Sequence, residues 1–165
     1  MTPLALAEAL VKHHDLEDGE LLELLTNRDP EVSAYLKDQA RQTALAHYGN
    51  HVFIRGLIEF TNYCKNDCYY CGIRRSNRNA QRYRLTKEDI LACCGLGYQL
   101  GFRTFVLQGG EDPWFTDERL EEIVREIKAH HPDCAVTLSV GERSQESYLR
   151  LKEAGADRYL LRHET

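Results

Sequence analysis

The sequence has no long uninterrupted apolar run, and this absence excludes membrane-spanning proteins. Its longest apolar stretches are broken by charge, at Glu8 in the first segment and at Arg55 and Glu59 between Val52 and Phe60. None approaches the roughly 20 residues that a membrane-spanning helix needs. The first residues do not match the pattern of a cleavable export signal either. We therefore expect a cytoplasmic protein with no membrane partner.

The chain also lacks an excess of positive charge. Its 165 residues include 21 Lys and Arg against 26 Asp and Glu, for a net charge of −5. Proteins that hold nucleic acid usually present a positive field, so we expect no nucleic acid among the partners. Tandem repeats and low-complexity segments are missing too, while 42% hydrophobic and 28% charged residues are typical of a globular chain with a core.

The first fifty residues are predicted to be helical and contain no residues that suggest chemistry. Thr2, followed by proline, is typical of a helix start, and Asp18 and Asp29 are expected to cap two further helices. Gly49 is the expected end of the third helix. We therefore predict a separate helical segment at residues 1–50.

From residue 51 onward, strand and helix patterns alternate. The expected strands are residues 52–60, 103–108, 135–140 and 158–162, and the helices between them begin at Thr86, Thr116 and Ser144. Alternation at this spacing predicts an α/β fold with a parallel sheet of right-handed βαβ units. Four units are about half of a TIM-like (β/α)₈ barrel of about 250 residues. Residues 51–165 are thus expected to be the N-terminal half of such a barrel, in a fragment or in a half-barrel that needs a partner.

Three cysteines are the strongest chemical signal in the chain. Cys64, Cys68 and Cys71 lie within eight residues, just after the first expected strand. The six cysteines of the chain would permit three disulfides, but this clustering, without an export signal, indicates metal or cluster ligation in a reducing compartment. Three thiolates on one loop suit three irons of a [4Fe–4S] cluster and leave the fourth iron open to a substrate.

A zinc site is the alternative interpretation of these cysteines. It would need a fourth ligand from Cys93, Cys94, Cys134 or a histidine. Zinc ligands usually come as two closely spaced pairs of Cys or His, and the sequence has no second pair of this kind. Cys93 and Cys94 fall on an expected helix among apolar residues, which favours buried thiols over ligands.

Two glycines and a glutamate follow the second expected strand. In a (β/α) barrel this end of the strands carries the active site, and glycine lets a ligand approach the backbone closely. Gly109, Gly110 and Glu111 are therefore candidate ligand contacts. The alternative is a simple turn, which is the most common role of glycines after a strand.

Arg162 and Glu164 lie two residues apart at the fourth strand, so their side chains are expected to point to the same side. A guanidinium binds a carboxylate through two hydrogen bonds, and a carboxylate accepts from an ammonium or a hydroxyl. The pair therefore suits a zwitterionic ligand, with an ordinary ion pair as the alternative. Thr137, Ser139 and Arg158 occupy strand positions that can line the same cavity, with Arg158 as a candidate anion contact.

The Cys-x₃-Cys-x₂-Cys pattern, with Tyr70 before its third cysteine, resembles the signature of the radical S-adenosylmethionine superfamily. Four longer segments resemble the HydE-type [FeFe]-hydrogenase maturases: residues 59–62, 70–75, 107–113 and 157–165. The similarity runs from about His51 to the last residue and is looser in the helical segment. HydE-type sequences often have serine at position 109. Biotin synthase and methylornithine synthase share the architecture and the cysteine spacing.

This resemblance implies a radical S-adenosylmethionine enzyme with two cofactors. In the superfamily the three cysteines hold a [4Fe–4S] cluster whose open iron chelates the methionine part of S-adenosylmethionine. An electron from the reduced cluster then releases methionine and a 5′-deoxyadenosyl radical. By resemblance, the cofactor-binding residues are Tyr70, Gln108, Gly109, Gly110, Glu111, Ser139, Arg162 and Glu164. Thr137 and Arg158 are the substrate candidates.

The implied role is assembly of the diiron subcluster of the [FeFe]-hydrogenase H-cluster. The substrate would be a small or organometallic precursor from a companion maturase, and the electron donor a protein such as flavodoxin or ferredoxin. Other chemistry, as in methylornithine synthase or biotin synthase, is an alternative. So is an iron–sulfur or zinc-binding fragment without turnover.

A run of positive charge accompanies the cysteines. The interval from Cys64 to Arg84 holds six basic residues, and Asp67 is its one acidic residue. One interpretation is a solvated face that offsets the negative charge of a thiolate-ligated cluster. The other is a docking patch for a redox donor or for another hydrogenase maturase.

Overall fold

The computed structural model describes residues 1–162, and the chain divides into two compact units. The first unit, Met1–Phe53, holds helices α1 (Pro3–His13), α2 (Asp18–Thr26) and α3 (Pro30–Tyr48). The second unit begins at Ile54. None of the helices in the described part of the chain is long and apolar enough to cross a membrane.

Helix starts in the first unit follow local side-chain chemistry. The Thr2 hydroxyl accepts a hydrogen bond from the Ala5 amide at 3.2 Å, and the Asp29 carboxylate caps α3 as predicted. The prediction for α2 is wrong by one residue, because Glu17 is the N-cap and Asp18 is the first helical residue. Glu20 stabilises this start by accepting from the Glu17 amide at 3.3 Å.

The second unit alternates strands and helices in chain order. Its elements are β1 (Gly56–Thr61), α4 (Lys87–Gln99), β2 (Thr104–Gly109), α5 (Asp117–His130), β3 (Ala135–Ser139), α6 (Gln145–Glu153) and β4 (Arg158–Tyr159). The four strands are parallel and lie in the order β1-β2-β3-β4, so each strand neighbours the next one along the chain. The predicted α/β fold, four parallel strands of a partial (β/α) barrel, is confirmed.

The sheet has an apolar face against the helices and a more polar opposite face. The helix-side core is formed by Ile58, Phe60, Phe105, Leu107, Val136 and Leu138 together with Ile90, Leu120, Ile123, Val124 and Ile127. Successive strand residues alternate between faces, so the partners Glu59, Gln108 and Ser139 form one row on the opposite face. That face corresponds to the interior of a (β/α) barrel.

Three strands are shorter than predicted, and β3 differs by a single residue. β1 begins at Gly56, and Gly56–Phe105 is the first pair of its ladder with β2. Val52 and Ile54 therefore have no ladder partner in the described part of the chain and are exposed, Val52 by 86%. β4 contains two residues because only Arg158 and Tyr159 pair with β3.

The predicted helix start at Thr86 is confirmed. Its hydroxyl accepts from the Asp89 amide at 3.1 Å, and the Asp89 carboxylate accepts from the Thr86 amide at 3.0 Å. On the same helix Cys94 is buried, and burial raises the pKa of its thiol to about 12. The expectation of two buried thiols is wrong for Cys93, which is exposed.

The core predicts a clear stability difference between two leucine truncations. Leu138→Ala removes a fully buried side chain (0% exposed) between the sheet and its helices and should cost about 2–5 kcal/mol. Leu149→Ala on α6 removes a side chain that is 55% exposed and should cost under about 0.5 kcal/mol. Urea unfolding followed by circular dichroism measures both, and equal midpoints for the two variants would contradict the assigned core.

Candidate functional site

Loops from successive strands meet at the carboxyl-terminal edge of the sheet. The loop after β1, which contains the three clustered cysteines, is joined to the loop after β2 by two contacts. The Lys65 amide donates to the Glu111 carbonyl at 2.9 Å, and the Lys65 ammonium lies 3.0 Å from the Glu111 carboxylate. This edge is where parallel α/β sheets and barrels carry their sites.

The three cysteines line one cavity of about 240 Å³ at this edge. Their thiols are free and half-buried. The cavity is also lined by Asn66, Tyr70, Ile73, Arg74, Gly110, Glu111, Glu142 and Arg162. Four cofactor-binding residues predicted from sequence, Tyr70, Gly110, Glu111 and Arg162, therefore lie beside the predicted cluster ligands.

The other predicted residues lie elsewhere or outside the described chain. Gln108 and Ser139 are neighbours on the barrel-interior face, where the Gln108 amide donates to the Glu59 carboxylate at 2.8 Å. The Ser139 hydroxyl is buried without a hydrogen-bond partner among residues 1–162. Glu164 lies outside the described residues.

The two substrate candidates are neighbours in the same sheet. Thr137 on β3 and Arg158 on β4 are ladder partners, so they share a position along their strands. Thr137 is buried, whereas Arg158 is exposed. Neither lines the cavity of the three cysteines.

Gly109 at the end of β2 and Gly110 just after it are explained by crowding from the end of β1 and the loop that follows it. A Cβ atom on Gly110 would lie 2.2 Å from the Tyr63 carbonyl oxygen and 2.8 Å from Cys64 Cβ. A Cβ atom on Gly109 would lie 2.7 Å from Thr61 Cγ2. Here glycine lets two protein segments approach each other closely. The sequence predicted glycine for the close approach of a ligand, and it could not distinguish that role from this one.

Arg82 holds together the loop after β1 that contains the three cysteines, which we call the cysteine loop. Its guanidinium donates to four backbone carbonyls, those of Asn62, Ile73, Arg74 and Asn77, at distances from 2.5 to 3.2 Å. A guanidinium has a rigid fork of donors, which suits this role. Neither interpretation of the basic run, as a solvated face or as a docking patch, holds for Arg82.

An ion pair whose carboxylate is buried and whose guanidinium is 33% exposed holds the other side of the loop. Arg84 donates to both oxygens of Asp112, at 2.6 Å and 2.9 Å, and the Asp112 side chain is 1% exposed. Asp112 also accepts from the Thr61 hydroxyl at 2.8 Å and the Trp114 amide at 3.1 Å. The Arg84 guanidinium lies 3.9 Å from the centre of the Tyr63 ring. We call this group, Thr61, Tyr63, Arg84, Asp112 and Trp114, the Asp112 clamp.

The electrostatics of the Asp112 clamp favour the charged pair. Burial by itself raises the pKa of Asp112, but the hydrogen bonds from Arg84, the Trp114 amide and Thr61 outweigh it, so the pKa lies below the ordinary value. The hydrogen bond to Asp112 raises the pKa of Arg84. Sequence reasoning missed this pair because the partners lie 28 residues apart and no local pattern links them.

The cysteine site fits a multi-iron cluster better than zinc. Cys134, a candidate fourth zinc ligand, precedes β3 and lies 3.9 Å from the Phe102 carbonyl, which precedes β2. It is therefore at the opposite end of the strands. Three thiols around one cavity without a fourth cysteine match a cluster with an open iron.

Residues 58–165 match the family model of the radical SAM superfamily. The chain belongs to this superfamily. The [FeFe] hydrogenase maturase subunit HydE of Thermotoga maritima is 47% identical over 145 residues, which are 88% of this chain and 41% of that protein. The resemblance to HydE seen in the sequence is confirmed.

Solved structures show the same fold for this radical SAM chain. The crystal structure of methylornithine synthase (PylB) matches with a TM-score of 0.81 and 31% identity, over 94% of this chain and 46% of that chain. HydG, a maturase of the [FeFe]-hydrogenase, matches with a TM-score of 0.82 and 26% identity, over 96% of this chain and 36% of that chain. The chain thus spans less than half the length of each of these relatives.

The Asp112 clamp predicts a pH-dependent stability. A carboxylate with a lowered pKa stabilises the fold above its unfolded pKa of about 4, and this contribution is lost as pH falls through the folded pKa. Asp112→Asn should therefore cost about 2–3 kcal/mol at pH 7 and flatten the decline in unfolding free energy below pH 4. Chemical denaturation at several pH values measures both quantities.

The control for this prediction is Asp133→Asn. Asp133 also pairs with an arginine, Arg103, at 3.1 Å, but both side chains are about half exposed. The control should cost under about 1 kcal/mol. If Asp112→Asn keeps the stability and the pH dependence of the unchanged protein, the Asp112 clamp does not have the role assigned to it.

Proposed function

We propose that this chain carries the cluster-binding half of the active site of a radical SAM enzyme. The observation that carries the proposal is the cavity shared by Cys64, Cys68 and Cys71 at the carboxyl-terminal edge of a parallel sheet. In this proposal residues 51–165 form the part of the barrel that holds the cofactors, and residues 1–50 form a separate helical segment. The free thiols suit a reducing compartment, and we propose the cytoplasm.

The three cysteines would hold a [4Fe–4S] cluster, and S-adenosylmethionine would bind beside it. When bound, the reduced cluster supplies the electron that cleaves S-adenosylmethionine to methionine and a 5′-deoxyadenosyl radical. Gly110 and Glu111 lie in the cavity wall, where the Glu111 carboxylate can accept from the amino group of the cofactor. Lys65 fixes that carboxylate at 3.0 Å, so it is held ready for the ligand.

Arg162 and Tyr70 would complete the cofactor contacts described in this half of the barrel. Arg162 lines the cavity, and its guanidinium lies 3.5 Å from the Gly109 carbonyl. We propose that it neutralises the carboxylate of the cofactor and that Glu164 accepts from a ribose hydroxyl, as the resemblance to the superfamily implies.

The barrel-interior face would bind the rest of the cofactor and the substrate. Ser139 offers a buried hydroxyl without a partner among residues 1–162, and Gln108 offers an amide already oriented by Glu59. Both are proposed cofactor contacts. Thr137 and Arg158, which are ladder partners, are proposed substrate contacts, with Arg158 recognising a negative group.

The proposed reaction is HydE-like, in assembly of the diiron subcluster of the [FeFe]-hydrogenase H-cluster. The 47% identity to a HydE subunit supports it. The substrate would be a small or organometallic precursor from a companion maturase, and the electron would come from a carrier such as flavodoxin or ferredoxin. A 3-methylornithine synthase reaction is the second candidate, supported by 32% identity to such an enzyme over 96% of this chain. Product analysis with each candidate substrate distinguishes the two.

The cysteine assignment predicts the effect of single substitutions. Alanine at Cys64, Cys68 or Cys71 should abolish the visible iron–sulfur absorbance of the anaerobically reconstituted protein, because each thiolate holds one iron. The matched control is Cys93→Ala, since Cys93 is an exposed free thiol on α4 and should leave iron and sulfide content unchanged. Retention of a full cluster by Cys68→Ala would refute the assignment.

The Arg162 assignment predicts weaker cofactor binding with an intact cluster. Removing one partner of a desolvated charged contact costs about 2–5 kcal/mol, so Arg162→Ala should weaken the affinity for S-adenosylmethionine at least tenfold. Isothermal titration calorimetry of the cluster-loaded protein measures this affinity. The control is Arg119→Ala, whose side chain packs on Trp114 outside the cavity and should leave the affinity unchanged. Unchanged affinity in Arg162→Ala would show that the residue is only structural.

A further inference from the structure

The side chain of Glu111 packs against a backbone position that has no side chain of its own. A Cβ atom on Gly141 would lie 2.0 Å from Glu111 Cγ, 2.3 Å from Cδ and 2.7 Å from Oε1. Non-bonded carbon atoms prefer separations of about 3.5–4.0 Å, so a side chain at position 141 is incompatible with this position of Glu111. Gly141 therefore leaves the space that the Glu111 carboxyl group occupies at the wall of the cysteine cavity.

The backbone conformation at Gly141 also favours glycine. Its φ angle of +84° lies in a region that residues with a side chain rarely adopt. Gly141 belongs to the loop after β3, residues 140–144, whereas Glu111 belongs to the loop after β2. Because β2 and β3 are neighbours in the sheet, this close approach joins two adjacent loops at its carboxyl-terminal edge.

Two tyrosine hydroxyl groups hold the loop that contains Gly141. Tyr159 of β4 donates to the Gly141 carbonyl at 2.6 Å, and the Tyr148 hydroxyl of α6 accepts from the Arg143 amide at 3.1 Å. The two tyrosine rings pack edge to face with their centres 4.9 Å apart. Burial raises the pKa of Tyr159 to about 12, so its hydroxyl keeps its proton and donates at neutral pH.

The Glu111 carboxylate lies between two segments that are fixed to the loop after β2. On one side, the Arg143 guanidinium donates to Asp117 at 2.6 Å and to the Phe115 carbonyl at 2.9 Å, which ties the loop after β3 to the start of α5. On the other side, the Lys65 ammonium of the cysteine loop lies 3.0 Å from the carboxylate. The orientation of Glu111 therefore depends on both loops.

We propose that Gly141, fixed by Tyr159, is a positioning residue that directs the Glu111 carboxylate toward the amino group of S-adenosylmethionine. The proposal rests on the proposed function, because it takes Glu111 as a contact of that cofactor. Neither Gly141 nor Tyr159 lines the cavity of the three cysteines, so both act through Glu111. A carboxylate that is already oriented loses less conformational freedom when the ligand binds, and this raises the affinity.

Gly141→Ala tests the proposal. The added methyl group should displace the Glu111 carboxylate and weaken S-adenosylmethionine binding to the cluster-loaded protein about tenfold or more, with iron and sulfide content unchanged. Isothermal titration calorimetry measures the affinity. A crystal structure of the variant without S-adenosylmethionine should show the Glu111 carboxylate moved away from the Lys65 ammonium, and an unmoved carboxylate would overturn the proposal.

The matched control is Gly101→Ala. Gly101 also has a positive φ angle, +94°, but a Cβ atom there would meet nothing within 4 Å. This substitution introduces backbone strain without crowding, so the affinity for S-adenosylmethionine should stay unchanged. Equal weakening in the two variants would overturn the proposal, because backbone strain alone would then explain the result.

A double-mutant cycle separates positioning from a merely structural role. In a Glu111→Ala background, Gly141→Ala has no Glu111 carboxylate to displace, so it should weaken binding no further than Gly101→Ala does. The change that S-adenosylmethionine causes in the electron paramagnetic resonance spectrum of the reduced cluster reports weak binding at high cofactor concentration. A further loss as large as in the unchanged background would overturn the proposal.

Tyr159→Phe keeps Gly141 and removes the hydrogen bond to its carbonyl, and it decides the question if Gly141→Ala does not fold. It should weaken S-adenosylmethionine binding about threefold with an intact cluster, since one hydrogen bond to the loop is lost. The control is Tyr98→Phe, which loses a hydroxyl that donates to Asp133 at 3.3 Å, before β3 and thus at the opposite end of the strands. Its affinity should stay unchanged.

Two results separate this inference from the proposed function. Unchanged affinity in Gly141→Ala and Tyr159→Phe would overturn the inference and leave the proposed function intact. Failure of the unchanged, cluster-loaded protein to bind S-adenosylmethionine would overturn the proposed function and, with it, this inference.

Discussion

The ion pair between Arg84 and Asp112 is the interaction on which the geometry of the site depends. It joins the segment that follows the cysteine loop to the loop after β2, and through Thr61 it reaches the end of β1. Its bidentate geometry at 2.6 Å and 2.9 Å fixes both distance and orientation. It adds to the β1–β2 ladder, whose last pair is Thr61–Gly109, and to the contacts of Lys65 with Glu111.

The two sides of the site are built differently. The cysteine loop is ordered by polar contacts to its own backbone, with Arg82 binding four carbonyls. The barrel-interior face is instead a set of strand side chains, in which the strand register places Glu59, Gln108 and Ser139 in one row and one hydrogen bond joins Gln108 to Glu59. In (β/α) barrels the same scaffold carries many chemistries because the residues at the carboxyl ends of the strands and in their loops differ. The proposed cluster ligands and the proposed substrate contact Arg158 therefore lie on two parts of the site that are built differently.

Features encoded by neighbouring residues were predictable from the sequence. The cysteine spacing, the capping box of Thr86 and Asp89, and the alternation that gives parallel βαβ units all depend on contacts within a few residues. Features that depend on distant partners were not predictable. The start of β1 depends on pairing with a distant strand, β2, and the role of Arg84 is set by Asp112, 28 residues away. The basic run looked uniform because sequence alone does not separate arginines that bind inside a loop from those left at its surface.

Mössbauer spectroscopy of the anaerobically reconstituted protein, with and without S-adenosylmethionine, tests the central claim most directly. The account predicts about four irons per chain in one cubane, with a change confined to one iron when S-adenosylmethionine is added, because three irons are held by Cys64, Cys68 and Cys71. A protein that binds a single zinc or iron ion, or a cluster whose spectrum does not respond to S-adenosylmethionine, would contradict it.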